Sequence, residues 1–158
     1  MSDALLKACE QMIRPIRMPR DRAADLAQFW SAAPVIEVLP GTVLLREGDP
    51  GDSILFVMNG SVKVTVKGSS GQDVEAAILQ SPMLLGATGV MDGKQRTSTC
   101  TVDEAATVLR MRRPVFMAAA SRATPEAEAI RQLLLIIMHS QLLRATDQLR
   151  DALTSAPA

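Results

Sequence analysis

Nearly half of the 158 residues are apolar (47%), which is enough for one well-buried core and too little chain for two independent domains. Its 17 basic residues balance 17 acidic ones, so no overall field draws the protein to nucleic acid or to an anionic membrane, and such a role would need a local basic patch. The longest purely apolar run, Leu133 to Met138, is far below the roughly 20 residues that span a bilayer.

In chain order, Ala4, Leu5, Ala8, Cys9, Met12 and Ile13 recur at helical spacing until Pro15 and Pro19 interrupt them, which predicts a short amphipathic helix and a connector over 1–20. Asp3, Lys7 and Glu10 break up these apolar residues, so the segment lacks the continuous core of a secretory signal. A second helix is predicted from Asp21 towards Ser31, burying Leu26, Phe29 and Trp30 before Pro34 stops it. From Val35 to Met111 the pattern changes to short runs of valine, isoleucine, leucine and threonine punctuated by glycine, the signature of a β-section. The predicted strands are Val35–Val38, Thr42–Leu45, Ile54–Met58, Ser61–Val66, Val74–Leu79, Thr97–Val102 and Thr107–Met111. Within the fourth, valines and lysines alternate, so the valines face the core and the lysines water.

Helical signal returns at Pro114–Ala120 and again from Thr124, a suitable N-cap followed by Pro125 at the first helical position and by Glu126 and Glu128 at the positive end of the dipole. This long helix, 124–153, leaves a small polar tail at 154–158. Two apolar surfaces run along it. Ile130, Leu133, Leu134 and Ile137 form one; Leu135, Met138, Leu142, Ala145, Leu149 and Ala152 form the other, alternating three and four residues as a coiled-coil seam does. One surface is expected to pack on the β-core and the other to meet a second copy, a homodimer through the C-terminal helix; the alternative is that both faces cover a single monomer.

The stretch Leu39 to Val64, with Gly41, Glu47-Gly48-Asp49-Pro50-Gly51-Asp52 and Asn59-Gly60, resembles the opening of a cyclic-nucleotide-binding domain of the bacterial catabolite-activator type. The resemblance covers approximately 21–153 and implies an α+β fold. Its core would be an eight-stranded antiparallel β-roll, a double-stranded β-helix of jelly-roll type, flanked by N-terminal helices and a long C-terminal helix. It places a phosphate-binding cassette at Leu85 to Thr99 and implies cAMP or cGMP as a regulatory ligand. In that cassette Gly86 lets backbone approach the ligand, the amides about Ala87 and Thr88 open a short helix, and Arg96 supplies the counter-charge to phosphate. Thr97 adds a hydroxyl compatible with either purine. Arg96→Ala is then expected to weaken binding and leave the fold largely intact. Leu142 and Thr146 of the long helix are the candidates for capping the base.

One residue departs from the family pattern. Ala87 stands where ligand-binding members usually carry a glutamate that accepts from the ribose 2′-hydroxyl, a contact worth about 1–3 kcal/mol; Asp92 is near enough in sequence to compensate. The alternative reading is therefore a degenerate interaction or dimerisation module that binds another effector or none.

Other chemistries fit less well. Cys9 and Cys100 have neither zinc nor disulfide spacing and cannot supply the four thiolates of a cluster, and His139, the one histidine, lies in the long helix. No metal site is expected. Ser53, Ser61 and Ser98 have no evident histidine partner and no Walker-type glycine loop is present, so an enzyme is not expected. After the long helix only five residues follow in this chain, without a recognition helix, so direct DNA binding is not expected either. The whole predicts a cytoplasmic sensor or adaptor with reduced thiols, acting on an effector protein that the sequence does not name.

Overall fold

In the computed structural model, which describes residues 2–155, the chain opens with α1 (Asp3–Ile13), whose first turn is capped by the Ser2 hydroxyl accepting from the Leu5 amide at 3.3 Å. Leu5, Ala8, Cys9, Met12 and Ile13 are its buried face. The Pro15–Pro19 connector leads to α2 (Arg22–Trp30), which packs between α1 and the long C-terminal helix. The part of the predicted tail at 156–158 lies outside the described residues.

Eight strands follow in two antiparallel sheets: β1 (Val35–Val38), β2 (Val43–Leu45), β3 (Ser53–Val57), β4 (Ser61–Lys67), β5 (Asp73–Gln80), β6 (Met83–Leu85), β7 (Thr99–Glu104) and β8 (Ala106–Arg112), with α3 (Ala87–Asp92) between β6 and β7. One sheet has the order β1-β8-β3-β6 and the other β2-β7-β4-β5, so sequence neighbours are split between faces as in a jelly roll. The expected β-roll with helices at both ends is present. Seven strands lie within one or two residues of their predicted bounds. The eighth, β6, is three residues long behind Pro82, too short to show a period of its own.

Burial along β3 shows how one strand serves two cores. All five of its residues are buried, but Ile54 and Phe56 join the cluster beneath the helices, whereas Leu55 and Val57 point into the roll with Leu45, Val62, Leu85, Val102 and Val108. In β4, Val62 is fully buried and Val64 and Val66 only partly, because the β4–β5 hairpin extends beyond the inner core and breaks register between Val64 and Thr65.

After β8 come α4 (Arg113–Ala120) and α5 (Pro125–Ser155). The Thr124 hydroxyl accepts from the Ala127 amide at 3.4 Å, as an N-cap should. Trp30 packs against Phe56 with tilted rings at 5.6 Å and Phe29 meets Phe116 edge-on at 5.7 Å, joining α2 to β3 and α4. Ala127, Ala129, Ile130, Leu133 and Leu134 are buried, but every residue from Gln141 to Ser155 is exposed. Ile130→Val removes one methylene from the fully buried α2–α5 layer and is expected to cost about 1 kcal/mol in urea unfolding without changing the m-value. No helix among the described residues is long and apolar enough to cross a membrane.

Candidate ligand site

A cavity of about 440 Å³ lies in the β-roll, with Leu45, Val64, Leu79, Leu84, Leu85 and Cys100 as its apolar wall and Thr88, Asp92, Lys94, Thr97 and Ser98 on its polar side. Such a mix, an apolar wall with a few convergent polar groups, suits a small organic anion. Gly86, Ala87, Thr88, Arg96 and Thr97, predicted from the sequence, all line this one cavity.

β6 delivers the chain to Gly86, whose φ of +80° turns it into α3. The first intrahelical bond is Val90 N–H to Gly86 C=O at 3.0 Å, so the amides of Ala87, Thr88 and Gly89 open the helix ahead of it, the usual place for an anion. A Cβ on Gly86 would lie 2.5 Å from the Arg96 Nη1, so glycine is needed there for both conformation and room.

Arg96 is 6% exposed. Its Nη2 donates to the Ser53 carbonyl at 2.6 Å and to the Ser53 hydroxyl at 3.3 Å, and lies 3.5 Å from the Asp52 carboxylate; its Nη1 donates to the Gly86 carbonyl at 3.3 Å. Its Nε makes no hydrogen bond among the described residues. Burial pulls the guanidinium pKa below the ordinary arginine value, the Asp52 charge pushes back, and Arg110 adds to the lowering. The same serine and aspartate also hold Arg110, through Ser53 Oγ at 3.2 Å and Asp52 Oδ1 at 3.8 Å.

Backbone stitches fix the loop that carries Arg96. Its amide donates to the Asp49 carbonyl (2.8 Å), Gly48 donates to the Arg96 carbonyl (2.9 Å), and Gly51 donates to the Lys94 carbonyl (2.9 Å). A Cβ on Gly51 would sit 2.5 Å from both the Gly89 and the Lys94 carbonyl oxygens. The Gly48-to-Asp52 turn is thus the buttress of the loop that carries Arg96.

At the far end of α3, the Arg113 side chain donates from Nε to Val90 C=O at 2.9 Å and from Nη2 to Met91 C=O at 3.4 Å, capping the last turn. The Arg113 amide donates to the Asp52 carbonyl at 2.7 Å. One residue at the head of α4 therefore holds both α3 and the turn that holds Arg96.

Ala87 presents only a buried methyl to the cavity. The Asp92 carboxylate lines the cavity but accepts the Lys94 amide at 2.9 Å, at the end of α3 opposite Ala87. From α5 the residue at the cavity is Gln141. Neither base-capping candidate reaches it: Leu142 is 65% exposed, and Thr146 donates its hydroxyl to the Leu142 carbonyl at 2.9 Å. One step along a helix rotates the side chain by about 100°, and the register of α5 on the roll is set by tertiary packing. Burial pushes the Cys9 thiol up to about 12 and also raises Cys100, so both stay thiols.

A family model described as "cyclic nucleotide-binding domain" matches residues 35–123, more than half of the chain. No curated protein sequence matches. Among solved structures, a cyclic nucleotide-binding domain from Methylobacillus flagellatus superposes with a TM-score of 0.75 at 16% identity, covering 99% of this chain and 85% of that one. The c-di-GMP responsive global regulator CLP of Xanthomonas campestris gives 0.73 at 15% identity over 85% of this chain. The catabolite activator protein of Thermus thermophilus gives 0.68 at 21% over 90%. This chain spans 66% and 62% of the lengths of the last two.

Proposed function

Because this chain belongs to the cyclic nucleotide-binding domain family, we propose that it is a regulatory sensor for signal transduction that takes cAMP or cGMP into the β-roll cavity. The observation that carries the reading is Arg96, buried beneath the opening turn of α3 by contacts that leave its Nε without a hydrogen bond among the described residues. A cyclic phosphate at that turn would meet the amides of Ala87 to Gly89 and the Arg96 charge in a poorly hydrated site, where each hydrogen bond is strong and needs little reorganisation. Lys94 adds a second cation at the cavity edge, and Thr97 a hydroxyl. Gln141 is placed to meet the base.

Ligand would act through α3. Its last turn is clamped by Arg113 at the head of α4, and α4 packs on α5, so displacement of α3 is passed to the helix that carries the proposed dimer seam. Leu135, Leu142 and Leu149 of that seam are 70%, 65% and 61% exposed in the single chain, an apolar stripe that a second copy would cover. Two free, buried thiols suit a reducing, cytoplasmic setting. Binding rather than catalysis is favoured because the buried Ser53 hydroxyl is engaged by two arginines and the one histidine, His139, lies on α5.

Ala87 favours the second reading, an interaction module that takes no cyclic nucleotide, because its methyl offers the ribose nothing. Calorimetric titration with cAMP and cGMP separates the two: saturable one-to-one binding supports the sensor, and silence for both nucleotides supports the module. Ala87→Glu places a carboxylate at the first turn of α3, where the dipole favours it, and is expected to tighten binding about tenfold, or ~1.4 kcal/mol.

A further inference from the structure

A second cavity, of about 470 Å³, lies between α1 and the connector to α2 and shares no residue with the β-roll site. Lys7, Arg14, Arg17 and Arg20 wall it with a single carboxylate, Glu10, over a floor that includes the buried Ile13 and Met18. Three net positive charges are therefore gathered around one cleft of a chain whose formal charge is zero. None of the four cations forms an ion pair among the described residues. Glu10 lies within a turn of both Lys7 and Arg14 and forms an ion pair with neither among the described residues.

The backbone supplies an independent observation. Arg17 has a φ of 56°, the one positive value at a non-glycine residue among the described residues. Left-handed backbone is unfavourable for a residue with a Cβ, and glycine would relieve it. The turn is held by the Arg17 amide on the Arg14 carbonyl at 3.3 Å and flanked by Pro15 and Pro19. Its strain accompanies a guanidinium at the cleft, and such strain concentrates at ligand sites.

We propose that this cleft is a second ligand site, for a small phosphate-bearing anion of at least two negative charges. Three guanidiniums offer planar forks that match phosphate oxygens bidentately, and a concave site of this volume admits a compact ion rather than a nucleic-acid face. Inorganic pyrophosphate is the simplest probe, and citrate, of comparable charge but carrying carboxylates, is the contrast.

The test is calorimetric titration of the full chain with each anion at low ionic strength, repeated on Arg17→Gly and on Lys94→Glu. Expected is one-to-one pyrophosphate binding, at least tenfold weaker citrate binding, and a tenfold or greater loss in Arg17→Gly, whose thermal midpoint is equal to or above that of the parent because the backbone strain is gone. Lys94→Glu, which reverses a charge in the β-roll cavity, leaves pyrophosphate binding unchanged. No pyrophosphate binding, equal binding of citrate, undiminished binding in Arg17→Gly, or loss in Lys94→Glu would each overturn the proposal. The Arg17→Gly loss is read at a cleft that shares no residue with the β-roll cavity, so its outcome is distinguishable from that of the nucleotide titration.

Discussion

Arg96→Ala is expected to lower the stability of the unliganded protein by about 3 kcal/mol and to abolish nucleotide binding. The stability loss follows from what the guanidinium holds. The Ser53 and Gly86 carbonyls both accept from it, and the Ser53 hydroxyl lies within reach of the same Nη2. Alanine would leave these acceptors without their donor in a buried place and open a void under α3. For a chain of this size such a loss lowers the thermal midpoint by roughly 6–12 °C. A surface arginine would change it by little, so the thermal scan alone distinguishes the two placements. Arg96→Lys keeps the charge but has no fork to span Ser53 and Gly86, and should fall between alanine and the parent in both stability and affinity. The pairing of the two losses identifies one group that builds the site and binds in it.

Leu142→Asp is expected to convert a dimer to a monomer. Leu142 is 65% exposed in the single chain, so an aspartate there costs the monomer fold almost nothing, whereas in a helix seam it buries an unpaired carboxylate at about 3–5 kcal/mol. That is a loss of a hundredfold or more in the association constant. Sedimentation velocity over a range of concentrations reads it directly, and unchanged thermal unfolding of the dilute protein would show that the fold is intact. A parent protein that sediments as a monomer would contradict the seam.

How much of this was legible in the sequence depends on how local each feature is. The stretch from Gly86 to Arg96 is continuous, so the family resemblance could place its glycine, its short helix and its arginine together. The exposed apolar stripe of α5 was legible for the same reason, as a period along one helix. What holds Arg96 was not, because Ser53 lies 43 residues away in sequence and its hydroxyl looks like any other serine until β3 is placed against the β6–α3 turn. The expectation that removing Arg96 leaves the fold largely intact did not take account of this burial and of the Ser53 and Gly86 carbonyls that Arg96 holds. Gln141 was missed and Leu142 and Thr146 preferred because nothing along α5 marks which side meets the roll. Arg113 gave no signal beyond its position before Pro114; only the close approach of α3 to α4 turns it into a cap. The eighth strand, Met83–Leu85, was implied by family resemblance alone, since three residues cannot show a period of two against the background of their neighbours.

The central claim, that a cyclic phosphate docks at the opening turn of α3 above Arg96, is tested most directly by following backbone amide chemical shifts of isotope-labelled protein during titration with cAMP and with cGMP. The account predicts that at least one nucleotide shifts the amides of Ala87, Thr88, Gly89 and Arg96 most strongly and saturably, with smaller changes passing through Arg113 into α4. Shifts confined to residues outside the β-roll cavity, or none with either nucleotide, would contradict it.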